Sequence, residues 1–233
     1  MYDPRQRLIV ALDVSSAAAA QKIVAAVGDS AFRYKVGMQL YTAEGPRVVR
    51  DLVASGRRVF LDLKYHDIPN TVAAAVSEAA GLGVSMLTIH ASGGGKMMRA
   101  ATEAARNLNA ALMVLGVTVL TSLDDSDLDK LGVRGRVQDQ VLRLAALAIA
   151  DGCHGVVASA QEASALRNEL EGDFAIVTPG VRPAGAEPGD QARVVTPAEA
   201  IAAGATHIVV GRPITAASDP AAEARAILSQ ISF

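Results

Sequence analysis

The sequence predicts one (β/α)8 barrel, a single domain over residues 1–233, and three observations carry that expectation. Short apolar or β-branched runs alternate with alanine-rich stretches of helical periodicity from end to end. Eight such runs are present, and 233 residues suit eight β/α units. The rival architecture is a doubly wound open sheet, which for dinucleotide binding needs Gly-x-Gly-x-x-Gly after its first strand. This chain has Asp13-Val-Ser-Ser-Ala17 there instead. No linker, low-complexity segment or short repeat divides the chain.

The elements follow in order. A first strand over residues 8–14 carries Asp13 near its end and leads to a helix over 16–27. The second strand, 32–38, contains Lys35. The third, 59–65, opens the run Phe60-Leu-Asp-Leu-Lys-Tyr-His-Asp-Ile-Pro-Asn-Thr71, which begins with strand alternation and reaches Pro69, a residue suited to a first helical turn. Alternation puts Asp62 and Lys64 on one strand face and Leu61 and Leu63 on the other. Asp67 then falls in the turn before a helix over 71–82.

A fourth strand over 86–91 carries His90 and precedes a helix over 96–107. Thr121 and Ser122 follow the fifth strand, 112–119, and a helix spans 137–150. The sixth strand, 155–159, leads to a helix over 161–169. Arg182 follows the seventh strand, 174–179, and a helix spans 197–203. Arg212 follows the eighth, 207–211. Asp219-Pro220 reads as an N-cap and first-turn pair opening a last helix to residue 230.

Composition excludes several classes of function. The net charge of −2 gives no electrostatic footprint for nucleic acid or an anionic membrane. Aromatic residues are only 3% and Trp is absent, which argues against base stacking on single strands. The lone Cys153 rules out an internal disulfide or a cysteine-rich metal site and reads as a small buried hydrophobe. Only five apolar residues follow Met-Tyr-Asp-Pro-Arg-Gln-Arg7, too few for a signal sequence, and no run approaches the ~18 apolar residues of a membrane span. A cytoplasmic protein is expected.

A barrel gathers Asp13, Lys35, Asp62, Lys64, His90, Thr121, Ser122, Arg182 and Arg212 onto one rim. One pair of opposite charges is commonly a structural salt bridge. A set confined to carboxyl strand ends reads as an active site, because stability alone does not demand charges there. Residues 179–193 form a Gly/Pro-rich loop much longer than most βα loops, suited to a lid. With Gly211 and Arg212 after the eighth strand it makes a phosphate site. Other features have structural readings: Gly93-Gly-Gly95 as a turn, Met97 and Met98 as packing, His66 and His90 as structural histidines without metal spacing, and the acidic run 124–129 as a solvated helix start.

These motifs resemble the orotidine 5'-phosphate decarboxylase family. The run Asp62-Leu-Lys-Tyr-His-Asp-Ile-Pro-Asn-Thr71 is similar to its signature. Leu8-Ile-Val-Ala-Leu-Asp13, Tyr34-Lys-Val-Gly-Met38, Pro179-Gly-Val-Arg-Pro183, Gln191 and Val210-Gly-Arg212 match in order over the whole chain. The resemblance implies a cofactor-independent and metal-independent decarboxylation in pyrimidine biosynthesis. It implies a Lys35–Asp62–Lys64–Asp67 array, with Lys64 as proton donor and Asp67 reaching a partner's site in a homodimer. Asp13, Lys35, Asp67 and Thr71 would surround the ribose, with Ile68 of the same motif also contacting substrate. Thr121 and Ser122 would contact the pyrimidine, and Arg182, Gln191, Gly211 and Arg212 would hold the phosphate. Two alternatives remain at this stage: a magnesium-dependent sugar-phosphate decarboxylase or aldolase of the same superfamily, and a non-catalytic barrel that binds a phosphate ligand.

Overall fold

In the computed structural model, which describes residues 3–183 and 195–232, eight parallel strands close in the order β1 to β8. They are β1 (Leu8–Ala11), β2 (Arg33–Gly37), β3 (Arg58–Tyr65), β4 (Met86–His90), β5 (Met113–Val117), β6 (Gly155–Val157), β7 (Ala175–Thr178) and β8 (His207–Val210). Closure is made by β1 on β8, with Leu8 opposite Ile208 and Val10 opposite Val210. Every expected strand is present, each within the expected bounds or one residue beyond them.

Strand alternation builds two apolar layers at once. Ile9, Ala11, Phe60, Met86, Leu115, Ala175, Val177 and Val209 form the cluster that fills the barrel. Leu8, Val10, Leu61, Leu87, Val114, Ile176 and Ile208 belong to the larger core beneath the helices. Both faces of these strands are therefore buried, which is why they read as continuous apolar runs. Close approach also shapes the wall. A Cβ on Gly155 would lie 2.2 Å from the Ala175 carbonyl oxygen, so β6 can meet β7 there only through glycine.

The helices are α1 (Ala17–Val27), α2 (Met38–Glu44), α3 (Pro46–Ala54), α4 (Pro69–Gly81), α5 (Gly95–Leu108), α6 (Asp125–Lys130), α7 (Val137–Ala150), α8 (Ala160–Glu169), α9 (Pro197–Ala202), α10 (Arg212–Thr215) and α11 (Pro220–Gln230). Local chemistry sets their starts. The Ser16 hydroxyl accepts from the Ala19 N–H, and the Asp219 carboxylate accepts from the Ala222 N–H. Capping boxes open α6 with Asp124 and Asp127, and α9 with Thr196 and Glu199. The acidic run at 124–129 is thus a helix start, as expected. The pair α2 and α3 between β2 and β3 was not anticipated. Gly45, at φ 64°, ends one helix and Pro46 begins the next, so the periodicity is cut into two short pieces. Among the described residues no helix is long and apolar enough to cross a membrane.

His207 begins β8 at the amino end of the barrel and is buried. Its Nδ1 lies 2.9 Å from the Thr206 hydroxyl. Burial pushes its pKa down to about 3, and the nearby cations Arg33 and Arg7 push the same way. The folded pKa lies below that of the unfolded imidazole. The unfolded chain therefore binds the extra proton between roughly pH 6.5 and pH 3, and this contribution to stability is present above that window and lost as pH falls through it. We expect His207→Leu to lose less stability than the native chain between about pH 7 and about pH 4.5, by roughly 2–3 kcal/mol. Urea unfolding at both pH values measures this, and an identical loss in both proteins refutes it.

Candidate active site

Four charged side chains form a continuous chain at the carboxyl ends of β1 to β3. Lys35 Nζ lies 2.8 Å from Asp13 Oδ1 and 3.7 Å from Asp62 Oδ2, and Lys64 Nζ lies 2.8 Å from Asp62 Oδ1. Strand register explains the first three. Lys35 sits opposite Ala11 on one side and Phe60 on the other, two residues short of both aspartates, and its long side chain spans that gap toward the rim. Lys35 and Asp62 are largely withdrawn from water, with side-chain exposures of 12% and 14%, whereas Asp13 is 58% exposed. The Asp62 contacts are therefore the less screened ones. Gly37 makes room for this chain, since a Cβ there would meet Lys35 Nζ at 3.0 Å and Asp13 Oδ1 at 3.3 Å.

Asp62 and Lys64 share the cleft face and Leu61 and Leu63 the core face, as alternation predicts, but the strand is not regular there. Leu61 pairs with Leu87 and Tyr65 with Ile89, so three residues of β3 stand against Thr88 alone on β4. Lys64 occupies this bulge at φ 53°, the only non-glycine among the described residues with positive φ. Such a backbone costs on the order of 1–3 kcal/mol and persists only where its surroundings hold it. The shared face is the one alternation gives, and the bulge bends the strand at that point.

The array forms one side of a cleft of about 540 Å³. Its floor is apolar, with Ala11, Phe60, Val117, Val157, Val177 and Val209 from the barrel interior. Thr121, Pro179, Gly180, Arg182, Gly211 and Arg212 also line it. Arg182 is almost buried and its backbone N–H donates to the Val195 carbonyl at 3.0 Å. Among the described residues a Cβ on Gly211 would meet no atom closer than the Ala11 Cβ at 3.6 Å. Gln191 and most of the long loop after β7 lie outside the described residues.

The structure thus brings together Asp13, Lys35, Asp62, Lys64, Thr121, Arg182, Gly211 and Arg212. It does not place Asp67, Ile68, Thr71 or Ser122 on the wall of this single-chain cleft. Asp67 is exposed, its Oδ1 accepting from the Ile68 N–H at 2.6 Å, and the Ile68 side chain is 67% exposed beside it. Thr71 is exposed in the first turn of α4. Sequence reasoning missed Gln39, which lines the cleft from the first turn of α2, and Thr88, whose hydroxyl touches both Asp62 and the Lys64 backbone. A lone polar residue in the apolar run Met86-Leu-Thr-Ile-His90 was the available signal for Thr88. His66 and His90 face each other at a ring separation of 5.3 Å. Burial lowers the His90 pKa, and the His66 and Lys64 charges lower it further. Among the described residues no three His, Cys, Asp or Glu side chains converge to hold a metal.

Fold and cleft define a class: a β/α-barrel with an ammonium–carboxylate array at its rim and two arginines lining the same cleft. The model of the Orotidine 5'-phosphate decarboxylase / HUMPS family matches residues 6–227, and the chain belongs to that family. It is 52% identical over 226 residues to a protein of Halorhodospira halophila named orotidine 5'-phosphate decarboxylase, covering 97% of this chain and 96% of that one. A Nitrosococcus oceani protein of the same name is 50% identical over 228 residues, covering 98% of both. The crystal structure of orotidine 5'-phosphate decarboxylase from Lactobacillus acidophilus superposes with a TM-score of 0.88 at 38% identity, covering 97% of this chain and 99% of that one.

Proposed function

We propose that this protein decarboxylates orotidine 5'-phosphate to uridine 5'-phosphate without metal or cofactor, as a cytoplasmic step of pyrimidine biosynthesis. The observation that carries the reading is the Asp62 carboxylate held between Lys35 and Lys64 above an apolar floor. Names of relatives that match nearly the whole chain support the same substrate.

The chemistry follows from the charges. Loss of carbon dioxide from C6 leaves an electron pair in the plane of the pyrimidine ring, where the π-system cannot delocalise it. An ammonium fixed beside that carbon stabilises the developing charge and then delivers its proton. Lys64 is the group for this, because its Nζ is already oriented by Asp62. The leaving carboxylate comes close to the Asp62 anion, and the apolar floor suits the departing neutral gas. Arg182 and Arg212 can hold the phosphate by charge-assisted hydrogen bonds, away from the reacting carbon. That binding energy fixes the ring over the array. Asp13 and Lys35 suit the ribose hydroxyls and Thr121 the ring edge. Ser122 and Gln191 are assigned to the same substrate by resemblance.

Asp67, Ile68 and Thr71 stand exposed past the end of β3 and suit a composite site in a homodimer. A two-fold axis makes each subunit donate Asp67 to the other's array, which leaves the two sites equivalent.

Adding metal-stripped protein to orotidine 5'-phosphate should lower the absorbance on the long-wavelength side of the substrate's band, with EDTA present throughout. Activity that appears only with magnesium would move the chain to the sugar-phosphate branch of its family. Uridine 5'-phosphate binding without any turnover would make it a binding barrel.

Lys64→Ala should lose nearly all kcat while uridine 5'-phosphate still binds, because the missing charge acts mainly on the transition state. Near-native kcat in the folded variant would overturn the proton-donor assignment. Arg212→Ala should lower kcat/KM roughly ten- to a hundredfold, the value of one charge-assisted contact of ~1.5–3 kcal/mol. Orotidine without the phosphate should be nearly indifferent to that change, and an equal loss with it would remove Arg212 from the phosphate site.

Mixing inactive Lys64→Ala and Asp67→Ala subunits tests the composite site. Each heterodimer would contain one site with both defects and one native site. Random exchange of an equal mixture should restore about a quarter of native activity. Demonstrated exchange without recovery would place Asp67 in its own chain's chemistry.

A further inference from the structure

We propose that Thr88 is a positioning residue for the reaction, acting as a clamp that holds both the Lys64 backbone and the Asp62 carboxylate in their working places. Three observations lead to it. Thr88 is fully buried, yet it carries a hydroxyl inside a barrel strand. Its Oγ1 accepts from the Lys64 N–H at 2.9 Å and donates to Asp62 Oδ1 at 3.0 Å. It is also the one β4 residue that stands against the bulge Asp62-Leu63-Lys64.

The polarity of this pair of bonds has only one solution. The Lys64 amide can only donate, and ionised Asp62 can only accept. The single hydroxyl proton of Thr88 therefore goes to Asp62, and an oxygen lone pair takes the amide. One setting of the hydroxyl therefore serves both bonds, and only a residue that can donate and accept at once can replace it.

Sheet geometry says why a side chain is needed. Where β3 bulges, the regular ladder to β4 is interrupted between Leu61 and Tyr65. A buried amide left without an acceptor is strongly disfavoured. Thr88 supplies the acceptor from its side chain, and so sustains the positive φ of Lys64. The same hydroxyl shares Asp62 Oδ1 with Lys64 Nζ, which binds both ends of the lysine residue to one fixed point. A β-branched residue suits this, since its χ1 is stiff.

The substitution Thr88→Val keeps the shape and removes both bonds, while Thr88→Ser keeps the hydroxyl. Hydrogen exchange at the Lys64 amide reads the clamp without reference to any reaction. In the native protein that amide should be protected relative to the exposed turn at His66 and Asp67. In Thr88→Val its exchange should accelerate by at least about tenfold relative to the neighbouring amides of β4, and in Thr88→Ser it should remain slow. A native Lys64 amide that exchanges as fast as the turn overturns the clamp, whether or not the valine variant folds.

The kinetic arm rests on the decarboxylase reading. There kcat for orotidine 5'-phosphate should fall roughly ten- to a hundredfold in Thr88→Val, with uridine 5'-phosphate affinity within about threefold of native. Thr88→Ser should recover most of kcat. Native kcat in Thr88→Val, or a parallel loss of kcat and product affinity, refutes a positioning role. If the native protein turns over no orotidine 5'-phosphate, the decarboxylase reading fails, and the exchange experiment still decides the clamp.

Discussion

Everything at the rim depends on one anion. Asp62 accepts from Lys64 Nζ and from the Thr88 hydroxyl through one oxygen, and its other oxygen faces Lys35. Two ammonium groups brought into one poorly solvated cleft would repel each other. At an effective dielectric near 20, a pair of unit charges about 4 Å apart interacts by roughly 4 kcal/mol. The carboxylate between them reverses the sign of the nearest contacts. It lets the cleft hold cationic charge without a buried, unpaired ion. Removing that anion would disturb two lysines and a threonine together, so the array acts as a unit.

The barrel makes such an arrangement affordable. Its interior is filled by Ile9, Ala11, Phe60, Met86, Leu115, Ala175, Val177 and Val209, so the cleft floor is packed rather than hollow. A close-packed floor limits how far the charged side chains above it can relax. The strained backbone at Lys64 fits the same logic. A left-handed, non-glycine residue in a barrel strand is held because β4 offers Thr88, and because the flanking pairs Leu61–Leu87 and Tyr65–Ile89 hold the strand on either side. Strands β2 and β3 carry three members of the array, and Asp13 follows β1. Arg182 and Arg212 reach the same cleft from segments after β7 and β8, Arg212 as the first residue of α10.

Much of this was legible in the sequence. Strands buried on both faces announce themselves as apolar runs, and capping residues mark helix starts. That is why the acidic run from Asp124 and the Asp219 cap could be placed from local chemistry. The pair α2 and α3, in which Gly45-Pro46 cuts one crossover into two helices of seven and nine residues, escaped that reading. The strand-end charges were legible as a group. The bulge at Lys64 was not, because it depends on register against a strand two dozen residues away.

By itself, the sequence determined the class of fold, the carboxyl-end residues Asp13, Lys35, Asp62, Lys64, Arg182 and Arg212, and, through its motifs, the family. These are properties of period, spacing and residue type, which are local along the chain. The tertiary structure alone decided which of those residues touch. It decided that Lys64 adopts a left-handed backbone and that Thr88 supplies its hydrogen-bond partner. It also decided that Asp67 and Ile68 stand on the exposed rim rather than in the cleft of their own chain. Those outcomes come from closing a sheet on itself, where the register between neighbouring strands sets every distance, and no local pattern encodes that register.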